Sequence, residues 1–228
     1  MAFDPSKYTV AKARPLPVIL MLDGSGSMTG EKIATLNAAV NEMINSFKKE
    51  AQNEVEIQVG IIAFGDGGAQ YVLPLQSCSQ ISNIQLGASG GTPMGMALKM
   101  AKDLIEDKDT IPSRGYRPTV VLVSDGQPND SWEQPMLDFI TTGRSAKCDR
   151  LAMEIQAGES GETVLNKFLE GTENRLFHAD EASKIKDFFR FVTMSVSVRS
   201  KSADPNKLLS LPAMDNNEQK MINNMMDF

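Results

Sequence analysis

Two apolar runs, each stopping at an aspartate, constrain this chain more than any other feature. Residues 17–23 read PVILMLD and residues 118–125 read PTVVLVSD. A strand with one wet face alternates apolar and polar side chains. These runs do not alternate, so both faces must be covered. Strands of that kind belong to mostly parallel sheets with helices above and below. After the first run comes GSGSMTGEK, then residues 31–49. There Ile33, Leu36, Val40, Met43, Ile44 and Phe47 recur at three- and four-residue intervals, which marks one helical face. Strand, loop and long helix in that order open a βαβ unit.

The rest of the chain continues the theme. VEIQVGIIAF, residues 55–64, reads as a second strand, and AQYVLPL as a third beyond GDGG. So short a connection makes these two antiparallel neighbours. Pro74 moves the third toward a sheet edge. A helix is expected from Pro93 to about Asp107, because Met94, Ala97, Leu98, Ala101, Leu104 and Ile105 share a face and proline suits a first turn. The fourth strand is 118–125, followed by a helix from Trp132 to about Ala146. A fifth strand is expected over 151–158, a short helix over 162–169, a short sixth strand within ENRLFHAD and a helix over 181–198. The expected fold class is α/β: a Rossmann-like open sheet, mostly parallel with one antiparallel edge strand, and helices on both faces. Residues 1–14 read as an arm, 15–198 as the domain, and 199–228 as a linker with a methionine-rich tail. In that tail Met214, Met221, Ile222, Met225, Met226 and Phe228 have helical spacing. They suit either a docked terminal helix or a contact for another protein.

Composition narrows the function. At 228 residues the chain suits one domain. A formal net charge of −6 argues against partners such as nucleic acid or anionic membranes. No stretch has the apolar length of a membrane span, and the first residues lack the apolar run of a signal peptide. Cytoplasmic residence is the expected location. Cys78 and Cys148 have neither disulfide-framework nor zinc-site spacing. The one histidine, His178, lies between Phe177 and Ala179 and reads as a partly buried structural residue, which argues against zinc enzymology.

Three separated pieces carry the chemistry. DGSGS places Asp23, Ser25 and Ser27 directly after the first strand. GGTP places Thr92 just before a helix. SDG places Asp125 at the end of the fourth strand. Open parallel sheets bind ligands beyond the carboxyl ends of their strands, where successive connections leave in opposite directions. If strands two and three flank strand one on one side and strand four on the other, that crevice lies between strands one and four. Both aspartates then border it, and Thr92 arrives from the crossover loop. Two carboxylates and three hydroxyls make an all-oxygen donor set, suited to a hard cation such as Mg²⁺ or Mn²⁺. Gly24 and Gly26 let the backbone bend around an ion, and Gly90 and Gly91 bring Thr92 close. Each piece alone is ordinary turn or cap chemistry; their convergence on one end of one sheet is what points to a site.

PVILMLDGSGSM, ASGGTP and VVLVSDGQPND together resemble the metal-ion-dependent adhesion site of von Willebrand factor type A domains, and the likeness extends over about residues 15–198. The resemblance implies that Ser25, Ser27 and Thr92 ligate the ion, with Mg²⁺, Mn²⁺ or Ca²⁺ as candidates. It implies that Asp23 and Asp125 act mostly through water, and that a partner's glutamate or aspartate completes the shell. RPLPVILMLDGSGSMTG, AFGDGGAQYVLPL, YRPTVVLVSDGQPNDSW and KIKDFFRFVTMSVSVRS look like the bacterial tellurium-resistance TerY-like branch. That likeness implies a bacterial stress or chemical-defence system with kinase-like or phosphatase-like partners. Some relatives carry a zinc-ribbon-like tail, for which this chain has no cysteine set.

Two other functions compete. A metal-dependent hydrolase or phosphatase would use an ion beside aspartates to activate water, but no histidine base and no adjacent lysine or arginine is evident near the site. A nucleotide-binding Rossmann-like domain would need GxGxxG in register or a P-loop lysine, and has neither. Among lesser candidates, Asp66 in GDGG reads as a turn residue or the rim of the site. Trp132 reads as an exposed contact or a helix cap against the body, and Glu133 as first-turn helix chemistry. Arg114 and Arg117 fall at the opposite edge from the metal.

Overall fold

The structure, a computed structural model, describes residues 13–50 and 55–206. A six-stranded sheet in the order β3-β2-β1-β4-β5-β6 forms its centre. The strands are β1 (Arg14–Gly24), β2 (Val55–Gly65), β3 (Gly68–Ser77), β4 (Thr119–Ser124), β5 (Asp149–Glu154) and β6 (Phe177–His178). All neighbouring pairs are parallel except β2 with β3. This is the expected α/β class, with the antiparallel strand at the edge and Pro74 in it.

Helices cover both faces: α1 (Glu31–Glu50), α2 (Met94–Glu106), α3 (Glu133–Thr141), α4 (Gly158–Leu169) and α5 (Ala182–Lys201). β1 shows why its run is unbroken. Leu16, Val18, Leu20 and Leu22 join the core under α1 and α5. Ile19 and Met21 join the core under α2, α3 and α4. Every residue from Val18 to Leu22 is fully buried. At about 1.5–3 kcal/mol for each large aliphatic side chain buried, a polar residue anywhere in that run would be costly.

Several boundaries differ from expectation. β1 begins at Arg14 rather than 17. Its pairing with β4 begins only at Val18, whereas its pairing with β2 begins at Arg14. Pro15 and Pro17 therefore lie where the strand has one neighbour, and the missing N–H groups break no second ladder. β5 ends at Glu154 and α4 starts at Gly158, not 162. The turn between them takes Gln156 into the left-handed region, at φ 56°. α3 stops at Thr141 because Thr142 is extended and Gly143 turns left-handed. A short 3₁₀ turn at Ser145–Lys147 follows. There the Glu106 carboxylate accepts the backbone N–H groups of Arg144 and Ser145. The arm up to residue 12 and the methionine-rich tail from residue 207 lie outside the described residues. Among the described residues no helix is long and apolar enough to cross a membrane.

Candidate functional site

The sheet order puts the change of connection direction between β1 and β4, and the three pieces meet there. Asp23 ends β1 and is fully buried. Its Oδ1 accepts the Ser25 backbone N–H at 2.8 Å, and its Oδ2 accepts the Ser124 hydroxyl at 2.5 Å. One carboxylate thus ties the first loop to the end of β4. Burial pushes the Asp23 carboxyl above its ordinary range, opposed by the hydrogen bonds from Ser124 and Ser25 and reinforced by the nearby Asp125 charge.

Ser25 Oγ lies 3.0 Å from Ser27 Oγ, and the Ser27 hydroxyl donates to Asp125 Oδ1 at 2.6 Å. Residues 24–29 make this possible with a short 3₁₀ turn at Gly26–Met28, which buries Met28 and leaves Ser27 exposed. Asp125 is buried, and its other oxygen, Oδ2, is 2.8 Å from Lys32 Nζ. Lys32 belongs to the first turn of α1. The expectation that no lysine stands beside the site is therefore corrected. The separation of Lys32 from Asp125, 93 residues along the chain, hid the contact.

Thr92 is also brought in, though by its backbone. Its N–H donates to Asn129 Oδ1 at 3.0 Å, and its carbonyl accepts the Asn129 N–H at 3.1 Å. Its hydroxyl lies on the side of Gly126, the residue after Asp125. The segment leading to it is pinned at several points. Ser89 N donates to Gly24 O at 2.8 Å and Gly26 N to Gly90 O at 2.9 Å. Asn37 and Asn41 of α1 each exchange hydrogen bonds with a backbone residue of the preceding loop, Leu86 and Ile84. Gly90 is required there: its φ is +76°, and a Cβ would lie 2.5 Å from the Asp66 Cα. Asp66 accordingly abuts the Thr92 loop, as a rim residue would. Asp130 caps α2 from the β4–α3 loop, accepting the N–H groups of Gly95 and Met96 at 3.0 Å each. Trp132 packs half-buried against the core under that face, and Glu133 sits in the first turn of α3. Asn37, Asn41, Asn129, Asp130 and Ser124 carry no sequence signal, since Ser124 meets the Asp23 carboxylate and the others meet backbone partners far away in the chain.

Do these residues fit an ion? Ligands in neighbouring positions of an octahedron about 2.1 Å from Mg²⁺ lie about 3.0 Å apart. Ser25 Oγ and Ser27 Oγ have that separation. The donor set is all oxygen, its deep side is carboxylate, and its outer side at Ser27 is open. The residues fit a hard divalent cation.

A second cluster begins on the next strand, β5, at the same sheet end. Glu154 ends β5, His178 is its register partner in β6, and Glu162 is in α4. One ligand atom from each lies within 4.8 Å of the others, so the cluster could hold a divalent metal. Glu154 is buried, with Oε1 3.0 Å from His178 Nδ1 and Oε2 accepting the Ala157 N–H at 2.7 Å. His178 is half-exposed and pairs with a buried carboxylate. Among the described residues no complete catalytic constellation forms.

Residues 18–127 match the family model of the von Willebrand factor type A domain, a stretch that contains Asp23, Ser25, Ser27, Thr92 and Asp125. That stretch, a little under half of the chain, is thus similar to a von Willebrand factor type A domain, and the sheet order and flanking helices above agree with the likeness. Solved structures of similar fold include a von Willebrand factor type A protein from Catenulispora acidiphila, at 21% identity and TM-score 0.63, covering 80% of this chain and 43% of that one. The pilus adhesin SpaC from Lactobacillus rhamnosus GG, in an open conformation, matches at 15% identity and TM-score 0.67, over 82% of this chain and 30% of that one. The vWF domain of the type V pili tip protein Mfa5 from Porphyromonas gingivalis matches at 11% identity and TM-score 0.61, over 85% and 99%. At these identities the likeness is one of fold. The chain spans less than half the length of the first two. Comparison with curated proteins gives no match.

Proposed function

We propose that this domain is a divalent-metal-dependent protein-binding module whose ion is held by Ser25, Ser27 and Thr92, with Asp23 and Asp125 behind them. The observation that carries the reading is the contact of oxygens from two separate segments, Ser27 to Asp125 at 2.6 Å, beside the 3.0 Å contact of Ser25 and Ser27 within the first loop. When bound, Mg²⁺ (or Mn²⁺ or Ca²⁺) supplies a positive point that an acidic side chain of a partner protein can coordinate. The chain's own residues do the rest. Asp23 holds the first loop through Ser25 and clamps it to Ser124. Asn129 holds Thr92. The serine hydroxyls carry no charge, so the deep carboxylates do not neutralise the ion from the front.

The partner reading is supported by the open side at Ser27. The placement in a cytoplasmic bacterial stress or tellurium-resistance-type system, with kinase-like or phosphatase-like partners, is part of the same proposal. It rests on the sequence stretches that resemble the TerY-like branch. Calorimetric titration with Mg²⁺ tests the ion: Asp23→Ala and Ser25→Ala should each lower affinity by about a hundredfold, as loss of a ligand or its hydrogen-bonded orienter does. Unchanged affinity in both defeats the reading. A pull-down from a bacterial lysate with Mg²⁺ or with chelator tests the partner. A captured protein that survives chelation and Asp23→Ala counts against it.

A further inference from the structure

We propose that Lys32 is a tethered cation that competes with the divalent ion for Asp125. The inference rests on the metal-binding reading above and adds a residue outside the five site positions. Asp125 has a fully buried side chain, and a buried carboxylate without a counter-charge is costly. The ammonium of Lys32 supplies that charge at 2.8 Å, on Oδ2, while Oδ1 accepts from Ser27. Both oxygens of Asp125 are thus engaged by the chain itself.

The Lys32 side chain is a quarter exposed and on a flexible stem. Its position in the first turn of α1 is set by the 3₁₀ turn that also aims Ser27. A divalent ion held by Ser25, Ser27 and Thr92 in front of Asp125 brings a second cation to the same carboxylate. Two cations sharing one buried anion repel, so ion binding and the Lys32–Asp125 pair oppose each other. Lys32 stabilises the ion-free domain, lowers the affinity for metal, and swings outward when metal binds. The pair thereby sets the concentration of ion at which the site fills.

The test is calorimetry with Mn²⁺ on the full chain and on K32Q, K32R and D125N. K32Q should bind Mn²⁺ roughly fivefold more tightly, the size expected for releasing a partly exposed ion pair. K32R keeps the charge and should bind as the native chain does. D125N should lose most of the affinity. If K32Q binds no more tightly than the native chain while D125N loses binding, the Lys32 inference is overturned and the metal site stands. If neither the native chain nor K32Q binds Mn²⁺, both readings fall. A second measurement avoids dependence on the variant's folding. Lysines of the native chain are reductively methylated with ¹³C, which keeps their charge, and followed by NMR. One signal, absent in K32R, should shift on adding Mg²⁺. A signal that stays unmoved at saturating Mg²⁺ overturns the inference.

Discussion

Both ends of the sheet bury charge, and they do so differently. At the amino end of the parallel strands, Arg199 of α5 is almost wholly buried. Its guanidinium donates to Pro205 O, Thr119 Oγ1 and Arg117 O at 2.9, 2.6 and 2.6 Å, and stands 3.6 Å from Asp149 Oδ2. Asp149 in turn accepts from Asn174. Every one of these partners belongs to the chain, and both charged groups of the pair are buried. At the carboxyl end, Asp125 leans on a lysine that is partly exposed, and Ser27 faces outward. A closed network fixes a fold, whereas an open one keeps room for something from outside. The contrast separates structural from functional burial on the same sheet.

The largest effect should come from the closed end. Arg199→Met removes one member of a buried pair, leaving Asp149 without its counter-charge and the carbonyls of Pro205 and Arg117 without their donor. A loss of about 3–5 kcal/mol is expected, read from urea unfolding as a lower midpoint with unchanged slope. Ion affinity at the other end should stay as it was. A loss below about 1 kcal/mol would mean that the closed end is not closed in solution, and the contrast breaks.

The open end should behave in the opposite sense. Asp23 has a folded-state pKa raised above 3.8, chiefly by burial. The native state therefore binds the extra proton, and its stabilising effect is full below about pH 3.8 and lost as pH rises through the folded value. Asp23→Asn mimics the neutral form, keeps an acceptor for the Ser25 N–H and gives Ser124 a donor. In chelator at neutral pH the variant should be more stable than the native chain, and the difference should shrink on acidification. With Mg²⁺ the order should invert. If the variant is less stable at neutral pH in chelator, the carboxylate is a structural charge like Asp149, and the two ends are alike.

How much of this was readable beforehand follows from the same contrast. The runs at 17–23 and 118–125 gave the parallel strands, because burial on two faces leaves a signal in every residue. Asp23, Ser25, Ser27, Thr92 and Asp125 stood out because three pieces, each ordinary turn or cap chemistry alone, converge on one end of the sheet. Lys32, Asn129 and Asp130 were silent. Each meets a partner dozens of residues away, and an isolated lysine or asparagine has no period or spacing to betray it. Arg199 was equally silent, since a basic residue near a helix end ordinarily faces water. The start of α4 at Gly158 was missed because Gly158, Glu159, Ser160 and Gly161 are weak helix formers; the glycines fit where Gly161 packs close to Gly126.

His178 lies between the two regimes. It is a half-exposed partner of a buried carboxylate, at the same sheet end as the oxygen site. His178→Ala should cost about 1 kcal/mol, the ordinary worth of one hydrogen bond, because Ala157 still satisfies the other oxygen of Glu154. Mg²⁺ affinity at Ser25 and Ser27 should not move. A shift in calorimetric stoichiometry from two sites to one in His178→Ala would instead put a metal at Glu154, Glu162 and His178, and the open end would extend across β4 to β6.

The smallest expected effect is a non-reaction. Cys148 precedes Asp149 at the amino end, and Cys78 follows β3, which runs antiparallel and so ends there too. Both are buried. Burial pushes the Cys148 thiol up to about 12 and raises that of Cys78 in the same direction. The thiolate is the reactive form, and at pH 8 it is scarce for both. Ellman's reagent should therefore leave the folded protein unmodified over minutes and label both thiols in guanidinium. Adding Mg²⁺ or chelator should make no difference, since the ion acts at the far end of the strands. Fast labelling of Cys148 in the folded chain would show that the amino end opens, and a dependence of that labelling on Mg²⁺ would show that the two ends are coupled through β1 and β4 rather than independent.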